Sequence, residues 1–428
     1  MTDPSALPVH SRSLPNGLQL LAIPIPHAKS VGISVYLRAG SRYEEHLETS
    51  GVSHFLEHLC FKGTKRRPSP RDISFEIDAL GGGINASTHR EMTVYYAKVT
   101  KEFMEPTVDL LVDMVRHSAC LEEEVERERG VILEELAAVE DSPAEQATLL
   151  LDSLIWPGQP HGRDIAGTEQ TVKSITRDQV VAAYERQYVA SSAVISLAGA
   201  IDPDEANALI DRVADGWEHG EPDPWLANDG DSGARSALLS KETGQAHIAL
   251  GMPGASSRDE DRYALDLLSI CLGEGMSSRL FLRLREDLGL CYDIHTYAAE
   301  LLDTGMFGVY AGVDPGHAIE ALGEIRRELD RVREPIGLDE LNRAQAVVRS
   351  RIQLRMEDTR AVSGWYGSQA TLGLPMRTPE ETLARYQGVT VKDVQAVAER
   401  VIRPEDAHVA IVGPFESTAP LEAAFSEG

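Results

Sequence analysis

The strongest constraint on the fold is that the chain repeats one pattern twice, with a period of about 210 residues. Gly40 and Gly254, which each follow a strand-like segment, lie 214 residues apart. Glu124 and Glu340, which each lie near the start of a long helical segment, are 216 residues apart. Two nearly equal offsets indicate an internal duplication, so we expect two halves of similar structure.

Each copy mixes strand-like and helical segments without strict alternation, which favours an α+β fold over a doubly wound parallel sheet. Predicted strands cover residues 18–24, 31–37, 91–99, 193–198, 247–254, 301–313 and 407–412, and predicted helices cover 51–63, 103–116, 122–139, 258–272 and 340–357. We therefore predict two similar sandwich halves of mixed or antiparallel sheet with helices. A stretch dense in Gly, Pro, Asp and Asn separates them, so the predicted division is an N-terminal domain at 1–215, a linker at 216–240 and a C-terminal domain at 241–428.

The composition restricts the partners and the location of the protein. Its 68 acidic and 41 basic residues give a net charge of −27, which opposes binding to nucleic-acid phosphates and to anionic membrane surfaces. No stretch of about 18 apolar residues is present, so we expect no membrane span. The 4 cysteines form no CxxC pair and the N-terminus lacks the features of a secretion signal, so we expect a cytoplasmic protein.

The segment His54-Phe55-Leu56-Glu57-His58 has the pattern HxxEH. In a helix, residues four positions apart lie on one face, so His54 and His58 can direct two imidazoles at one metal ion. Glu57 lies about 60° to the other side of His54 and faces the same region. HxxEH is the inverse of HExxH, and both patterns are typical of zinc peptidases. The alternative is a helix with two surface histidines.

A catalytic zinc ion needs a third protein ligand. The predicted helix near 122–140 contains many carboxylates, most of which we assign to a solvated acidic face. Glu128 and Glu135 differ, because they lie within about 60° of Ile132 at the edge of the apolar stripe. A carboxylate directed toward the interior needs a partner. We therefore predict Glu135 as the third ligand and Glu128, two turns earlier, as a group that supports the ligands.

The motif also predicts a mechanism with one zinc ion per chain. Zinc held by His54, His58 and Glu135 lowers the pKa of a coordinated water toward about 7. Glu57 is not a ligand in this scheme. It takes the proton of the water as general base and later delivers that proton to the leaving amine.

Five segments of the chain resemble the pitrilysin/insulinase metallopeptidases, and the short, mitochondrial-processing-peptidase-like branch is the most similar. HFLEHLCFKGT at 54–64, GGGINASTHREMTVYYAK at 81–98 and ERERGVILEEL at 126–136 resemble the zinc-carrying half. RLREDLGLCY at 283–292 and TGMFGVYAG at 304–312 resemble the second half. The resemblance implies a zinc-dependent endopeptidase with two similar α+β halves, of which only the first holds zinc.

The resemblance further implies roles for residues outside the zinc motif. Substrate would be held extended along an edge strand that contains Asn85 and Ala86, by backbone hydrogen bonds of the kind that an added strand forms. Arg285 would anchor a substrate carbonyl, and Tyr292 would stabilise the oxyanion. From the residues alone, a turn residue is an equally good interpretation of Asn85. For Arg285 and Tyr292 the residues alone favour a surface cation and a partly buried core residue.

The second half of the duplication lacks a metal site of its own. The positions that match the two histidines of the motif hold Leu268 and Leu272, and the position of the glutamate holds Cys271. The position that matches Glu135 holds Arg351. We therefore expect the second half to act as a wall, as a partner surface or as the source of the arginine and tyrosine pair.

The length of 428 residues resembles that of the short family members, which associate in pairs. We expect a homodimer with two sites that encloses peptide substrates in a chamber. A heterodimer with a zinc-less relative is the alternative. Two rival functions remain, namely a non-catalytic assembly or core subunit, and a catalytic subunit that needs a zinc-less partner.

Overall fold

The computed structural model describes residues 7–230, 233–332 and 334–427. By the density of its internal contacts the chain forms two compact units. The first contains the chain up to Leu136 together with Asp164–Leu226 and Ile352–Glu381. The second contains Ala137–Arg163, Ala227–Arg351 and the chain from Thr382 onward.

The first unit is built on a six-stranded sheet. Its strands are β1 (His10–Ser13), β2 (Gln19–Pro24), β3 (Ser30–Leu37), β4 (Gly83–Thr88), β5 (Thr93–Thr100) and β6 (Ala193–Gly199). The strand order is β1-β2-β6-β3-β5-β4, and β2 with β6 is its parallel pair, while the other pairs are antiparallel. β4 is therefore an edge strand.

The second unit repeats this topology in a five-stranded sheet. Its strands are β7 (Ser236–Ser240), β8 (Ala246–Pro253), β9 (Cys291–Glu300), β10 (Gly305–Val313) and β11 (His408–Gly413). The order β7-β11-β8-β10-β9 corresponds strand by strand to β2-β6-β3-β5-β4, and β7 with β11 is again the parallel pair. The predicted duplication is thus present in the strand order and in the strand directions.

Helices flank both sheets, in agreement with the predicted α+β class. They are α1 (Val52–Leu59), α2 (Pro70–Ala79), α3 (Met104–Arg116), α4 (Glu122–Glu140), α5 (Pro143–Ile155), α6 (Glu169–Ser174), α7 (Arg177–Gln187), α8 (Pro203–Val213), α9 (Arg262–Gly273), α10 (Ala318–Arg331), α11 (Leu338–Arg355), α12 (Thr359–Thr371), α13 (Pro379–Gly388), α14 (Val391–Val401) and α15 (Ala419–Glu427). Within the described residues, no helix combines the length and the apolar character that crossing a membrane requires.

The compact units are not continuous in sequence, because each contains a helix from the other half of the duplication. α12, from the second half, packs on β3 and β6 of the first sheet, and α5, from the first half, packs on β8 and β11 of the second. The domains predicted at 1–215, 216–240 and 241–428 are continuous in sequence and describe the two copies of the duplication, not the compact units. That division remains a prediction. β7 begins inside the predicted linker.

Small residues allow α12 to approach the first sheet closely. A Cβ atom on Gly32 would lie 2.4 Å from the backbone oxygen of Thr359, so only glycine fits there. The Ser363 hydroxyl lies 2.9 Å from that of Ser34 and 2.8 Å from the Ser196 backbone oxygen, which accepts a hydrogen bond from it. These buried hydroxyls satisfy one another, so the sheet and the helix can make contact without an apolar layer between them.

The opposite face of the first sheet carries the core that positions α1 and α4. Phe55 and Leu56 of α1 are buried in this core together with Val125 and Ile132 of α4. The apolar arc that the HxxEH pattern leaves on its helix is therefore the buried arc. His54, Glu57 and His58 are the half-buried residues of α1 and lie outside this core.

We expect Gly32→Ala to destabilise the protein by about 1–3 kcal/mol, because the new methyl group must displace α12 from the sheet. The measurement is the midpoint of thermal unfolding by circular dichroism. Gly130→Ala is the matched control, since Gly130 lies inside α4 with open space at its Cβ position. Helix propensity predicts a gain of about 0.5–1 kcal/mol there. A Gly32→Ala protein as stable as the parent would contradict the close approach of α12 to the first sheet.

Candidate metal centre

Helix α1 carries the HxxEH residues, and a carboxylate from seven residues upstream fixes its N-terminus. Gly51 precedes the helix with a φ of 97° and has no side chain that could cap it. The carboxylate of Glu44 accepts hydrogen bonds from the backbone N–H groups of Gly51 and Ser53, each at 2.9 Å. Because Glu44 is buried and these N–H groups have no partner within the helix, it fixes the turn that carries His54.

Three predicted ligands converge in front of this helix. One ligand atom from each of His54, His58 and Glu135 lies within 4.8 Å of the other two, and the described residues contain no second group of this kind. Oε2 of Glu135 is 3.7 Å from Nε2 of His54 and 3.6 Å from Nε2 of His58. The imidazole rings lie edge to face with centroids 4.7 Å apart. Helix α4 thus brings a carboxylate from a distant stretch of the chain to the histidine pair.

The chemistry of this donor set fits a divalent metal ion. Two ligands about 2 Å from a tetrahedral ion lie roughly 3.3 Å apart, which is close to the separations between Glu135 and the histidines. Burial, followed by the nearby His58, lowers the pKa of His54 to about 4. The His54 imidazole is therefore neutral at pH 7, the form that can bind a metal. Two imidazoles and a carboxylate suit zinc and several other divalent ions.

Glu128 orients His58 within the group. Its Oε2 is 3.1 Å from Nδ1 of His58, and its Oε1 is 2.7 Å from Nζ of Lys62. Since a carboxylate only accepts, Nδ1–H of His58 donates to Glu128, and in the neutral imidazole this leaves the lone pair on Nε2, the nitrogen nearer Glu135. The Lys62 ammonium provides the charge partner that a buried carboxylate requires. By contrast, Nδ1 of His54 is buried without a hydrogen-bond partner among the described residues.

Burial distinguishes the two predicted carboxylates of α4 in an unexpected way. The side chain of Glu128 is 3% exposed, whereas that of Glu135 is 47% exposed. The argument that a ligand is directed toward the interior therefore applies to Glu128 and was wrong for Glu135. A metal centre with an open coordination position has a solvent-facing side, and Glu135 borders that side.

Glu57 lies beside the ligand group and has a separate anchor. Its Oε2 accepts a hydrogen bond from the hydroxyl of Thr88, the last residue of β4. Burial raises the pKa of Glu57, and the hydrogen bond from Thr88 and the charge of His58 oppose the rise. The Glu57 carboxylate, which is not one of the predicted ligands, therefore joins α1 to the edge strand β4.

Asn85 and Ala86 lie within the edge strand β4, so the alternative that Asn85 is a turn residue is wrong. Oδ1 of Asn85 accepts a hydrogen bond from the backbone N–H of Ala86 at 2.8 Å. This hydrogen bond is exposed to solvent, as is expected of an N–H group at the free edge of a sheet. The part of these residues in substrate binding remains a prediction.

Arg285 and Tyr292 belong to the second compact unit, whereas the ligand group belongs to the first. The Arg285 guanidinium lies 4.9 Å from the centre of the Tyr292 ring, over its face. Tyr292 is 73% exposed, so it is not a core residue. The half-buried Arg285 and the exposed Tyr292 thus form one cationic and aromatic pair, and their catalytic role remains a prediction.

Sequence reasoning missed three residues that hold the site together, namely Glu44, Lys62 and Thr88. Lys62 follows His58 by four residues, and this helical spacing is a signal that could have identified it. Glu44 and Thr88 reach the site through tertiary structure, and no local pattern marks either residue.

The duplicated fold and the HxxEH ligand group together define a metallopeptidase-like chain. Residues 20–169 match the family model described as insulinase, peptidase family M16, and residues 174–348 match the model described as the peptidase M16 inactive domain. The chain therefore belongs to the insulinase family, M16, and the resemblance to the pitrilysin/insulinase metallopeptidases is confirmed.

Individual relatives agree with this assignment. An uncharacterized zinc protease of Streptomyces coelicolor is 36% identical over 422 residues, which cover 95% of this chain and 90% of the relative. A protease from Helicobacter pylori has a TM-score of 0.89 at 22% identity, covering 96% of this chain and 100% of its own. A peptidase M16 inactive domain from Pseudomonas fluorescens has a TM-score of 0.89 at 19% identity, covering 96% and 99%. These solved structures confirm the fold.

We expect Lys62→Met to weaken binding of a divalent metal about ten- to a hundredfold, because Glu128 loses its cation and no longer holds His58. Competition with a chromophoric chelator measures the affinity. Lys62→Arg keeps the charge and should retain most of the metal affinity. Lys173→Met is the matched control, since Lys173 is an exposed lysine paired with Glu169. Unchanged affinity in Lys62→Met would show that Glu128 needs no cation to orient His58.

Proposed function

We propose that the protein is a zinc-dependent endopeptidase that cleaves extended or unfolded peptides in the cytoplasm. The observation that carries this proposal is the convergence of one atom each from His54, His58 and Glu135. Glu57 lies beside them on its own anchor, Thr88. The donor set alone fits several divalent ions, and the names of relatives, which are called zinc proteases, support zinc.

His54, His58 and Glu135 would hold the zinc ion, which would supply a Lewis acid for the attacking water and for the scissile carbonyl. Glu57 accepts the proton of the attacking water and returns it to the leaving amine. The Thr88 hydroxyl fixes the direction of the Glu57 carboxylate. Glu128 and Lys62 keep His58 in the tautomer whose Nε2 faces Glu135.

The peptide binds along β4 as an added strand in this proposal. The free edge offers backbone groups that pair with any sequence, which suits an enzyme for unfolded chains. The N–H of Ala86 becomes available to the peptide when Oδ1 of Asn85 releases it. The last residue of the strand, Thr88, contacts Glu57, so a peptide aligned with β4 passes the proposed base.

The proposed assembly is a homodimer with two sites, in which Arg285 and Tyr292 of one subunit complete the site of the other. Arg285 anchors a substrate carbonyl, and the Tyr292 hydroxyl stabilises the oxyanion. The exposure of Tyr292 supports this role, since its hydroxyl is available to a second molecule. A heterodimer with a zinc-less relative is the alternative assembly.

A non-catalytic assembly or core subunit is the second candidate function. The similarity to the M16 inactive domain from Pseudomonas fluorescens favours it. However, the inactive-domain model matches residues 174–348, whereas all three ligands lie within the region 20–169 that matches the insulinase model. The location of the ligands therefore favours the enzyme.

We expect Glu57→Gln to keep its zinc and to lose peptide cleavage by about a hundredfold or more, because an amide cannot accept the proton. Elemental analysis measures the metal, and mass spectrometry of a digested peptide library measures cleavage. Glu134→Gln is the matched control, since Glu134 is an exposed glutamate of α4. Chelation should abolish the activity of the parent protein, and added zinc should restore it.

Normal turnover by Glu57→Gln would exclude Glu57 as the base. A parent protein that contains zinc, cleaves nothing alone and gains activity with a zinc-less relative would indicate an obligatory partner. A parent protein that binds no metal and cleaves nothing would favour the assembly subunit.

The homodimer can be tested by mixing two inactive variants. We expect Glu57→Gln and Tyr292→Phe each to be impaired alone, and a refolded or co-expressed mixture to regain part of the activity. One site of the mixed dimer then combines an intact Glu57 with an intact Tyr292. No recovery in dimers whose mixed composition has been verified would mean that both residues act within one chain.

A further inference from the structure

A cavity of about 690 Å³ lies on the face of the first sheet that α12 covers, next to the edge strand β4. Ser87 of β4 and Tyr96 of β5 line its floor, and Arg355 and Arg360 line it from the segment around α12. It contains none of the metal ligands. No role follows for it from the mechanism above.

The cavity carries uncompensated positive charge in a chain whose net charge is −27. Asp358 is the acidic residue among its lining residues, and Lys98 already pairs with it at 2.8 Å. Asp358 also accepts hydrogen bonds from the first backbone N–H groups of α12. The guanidinium of Arg360 lies 4.7 Å from the centre of the Tyr96 ring. Among the described residues, neither Arg355 nor Arg360 has a carboxylate partner.

Both arginines act on the same point of the cavity. Burial raises the pKa of Tyr36 to about 12, and the charges of Arg355 and then Arg360 oppose this rise. The Tyr36 hydroxyl donates to the Gly364 backbone oxygen at 3.4 Å. The charges of both guanidinium groups thus act on one buried hydroxyl that lines the cavity, and that neutral hydroxyl does not compensate them.

The two faces of β4 relate this cavity to the proposed cleavage site. Ile84 and Ala86 pack against the core on the α1 side, and Thr88 contacts Glu57. Ser87 lines the cavity, and Asn85, two residues earlier in the strand and paired with Tyr96, lies on the same face of β4. A peptide added to the edge of β4 alternates in the same way, so every second side chain is directed toward the arginines.

Building on the proposed function, we infer that this cavity is a substrate subsite for a carboxylate, which selects peptides with an acidic group on the face opposite the metal centre. Arg355 and Arg360 bind the carboxylate by charge-assisted hydrogen bonds. The carboxylate comes either from a Glu or Asp side chain or from the C-terminus of the peptide. Arg355 and Arg360 are specificity residues in this scheme and take no part in the chemical step.

The test uses the zinc-loaded full chain and quenched fluorescent peptides of one length. Glu is moved one position at a time through a neutral peptide whose termini are blocked. We expect kcat/KM to rise at alternate positions only, since a strand directs every second side chain to the cavity. The double variant Arg355→Gln/Arg360→Gln should lose about tenfold in kcat/KM on the favoured peptides and stay within about twofold on the neutral peptide.

Two further variants are controls for misfolding and for effects of the overall charge. Arg360→Lys keeps a cation and should keep part of the preference. Arg212→Gln removes an exposed arginine of the same unit that pairs with Glu105, and it should behave as the parent protein. Thermal melts check that each variant is folded.

Peptides with free and amidated C-termini distinguish the sources of the carboxylate. If the preference follows the position of an interior Glu, the bound carboxylate is a side chain. If it follows the free terminus, the bound carboxylate is the C-terminus of the peptide. Either result supports the subsite. Three results would overturn the subsite. They are a preference for Glu that lacks the two-residue period, a preference that survives in the double variant, and an equal loss of kcat/KM on neutral and acidic peptides.

Failure of the proposed function gives a different result. If the parent protein cleaves no peptide, fluorescence anisotropy of a labelled acidic peptide and its neutral counterpart still tests the cavity. Tighter binding of the acidic peptide that disappears in the double variant supports the subsite, and equal binding of the two peptides overturns it.

Discussion

One buried carboxylate links the two helices on which the metal centre depends. Glu128 of α4 lies between Lys62 and His58, 70 residues from that histidine in sequence. Removal of one partner from such a buried pair costs about 3–5 kcal/mol, because the remaining charge stays buried without compensation. The register of α4 against α1 is therefore fixed, and Glu135, two turns along the same helix, is brought to the histidines as a result.

The two halves of the duplication share one strand order but carry different residues at the positions of the metal ligands. The strand order is common to both sheets, yet the second half has buried Leu268 and Leu272 where the first has histidines. Arg351 takes the position that corresponds to Glu135 and pairs with Glu274 at 2.6 Å. A local ion pair thus balances charge in the second half, whereas the first half leaves a carboxylate beside two imidazoles, an arrangement that a cation would complete.

Periodic features of the sequence predicted the parts of the fold that local geometry determines. The HxxEH spacing placed two imidazoles on one face of a helix, and the two offsets indicated a duplication that the sheets display. The helix exchange escaped prediction, because nothing within α5 or α12 specifies which sheet each will cover. Glu44, Thr88 and the arginines of the cavity act through tertiary contacts, and a single sequence contains no signal that joins Arg360 to Tyr96.

The burial of Glu128 and the exposure of Glu135 show a second limit. A helical wheel ranks both residues at the edge of the apolar stripe and cannot distinguish them. Their difference comes from what lies opposite α4, namely Lys62 for one residue and the open side of the metal centre for the other.

The exchange of helices also determines when the protein can mature during its synthesis. β6 ends at Gly199, but α12, which covers one face of that sheet, begins only at Thr359. At typical translation rates the ribosome needs roughly 10–30 s to cross this interval. Throughout it the nascent sheet presents Leu21, Ile23 and Tyr36 without the helix that buries them. The first sheet can therefore not finish folding as it emerges, and the growing chain offers an apolar surface that chaperones can bind until α12 arrives.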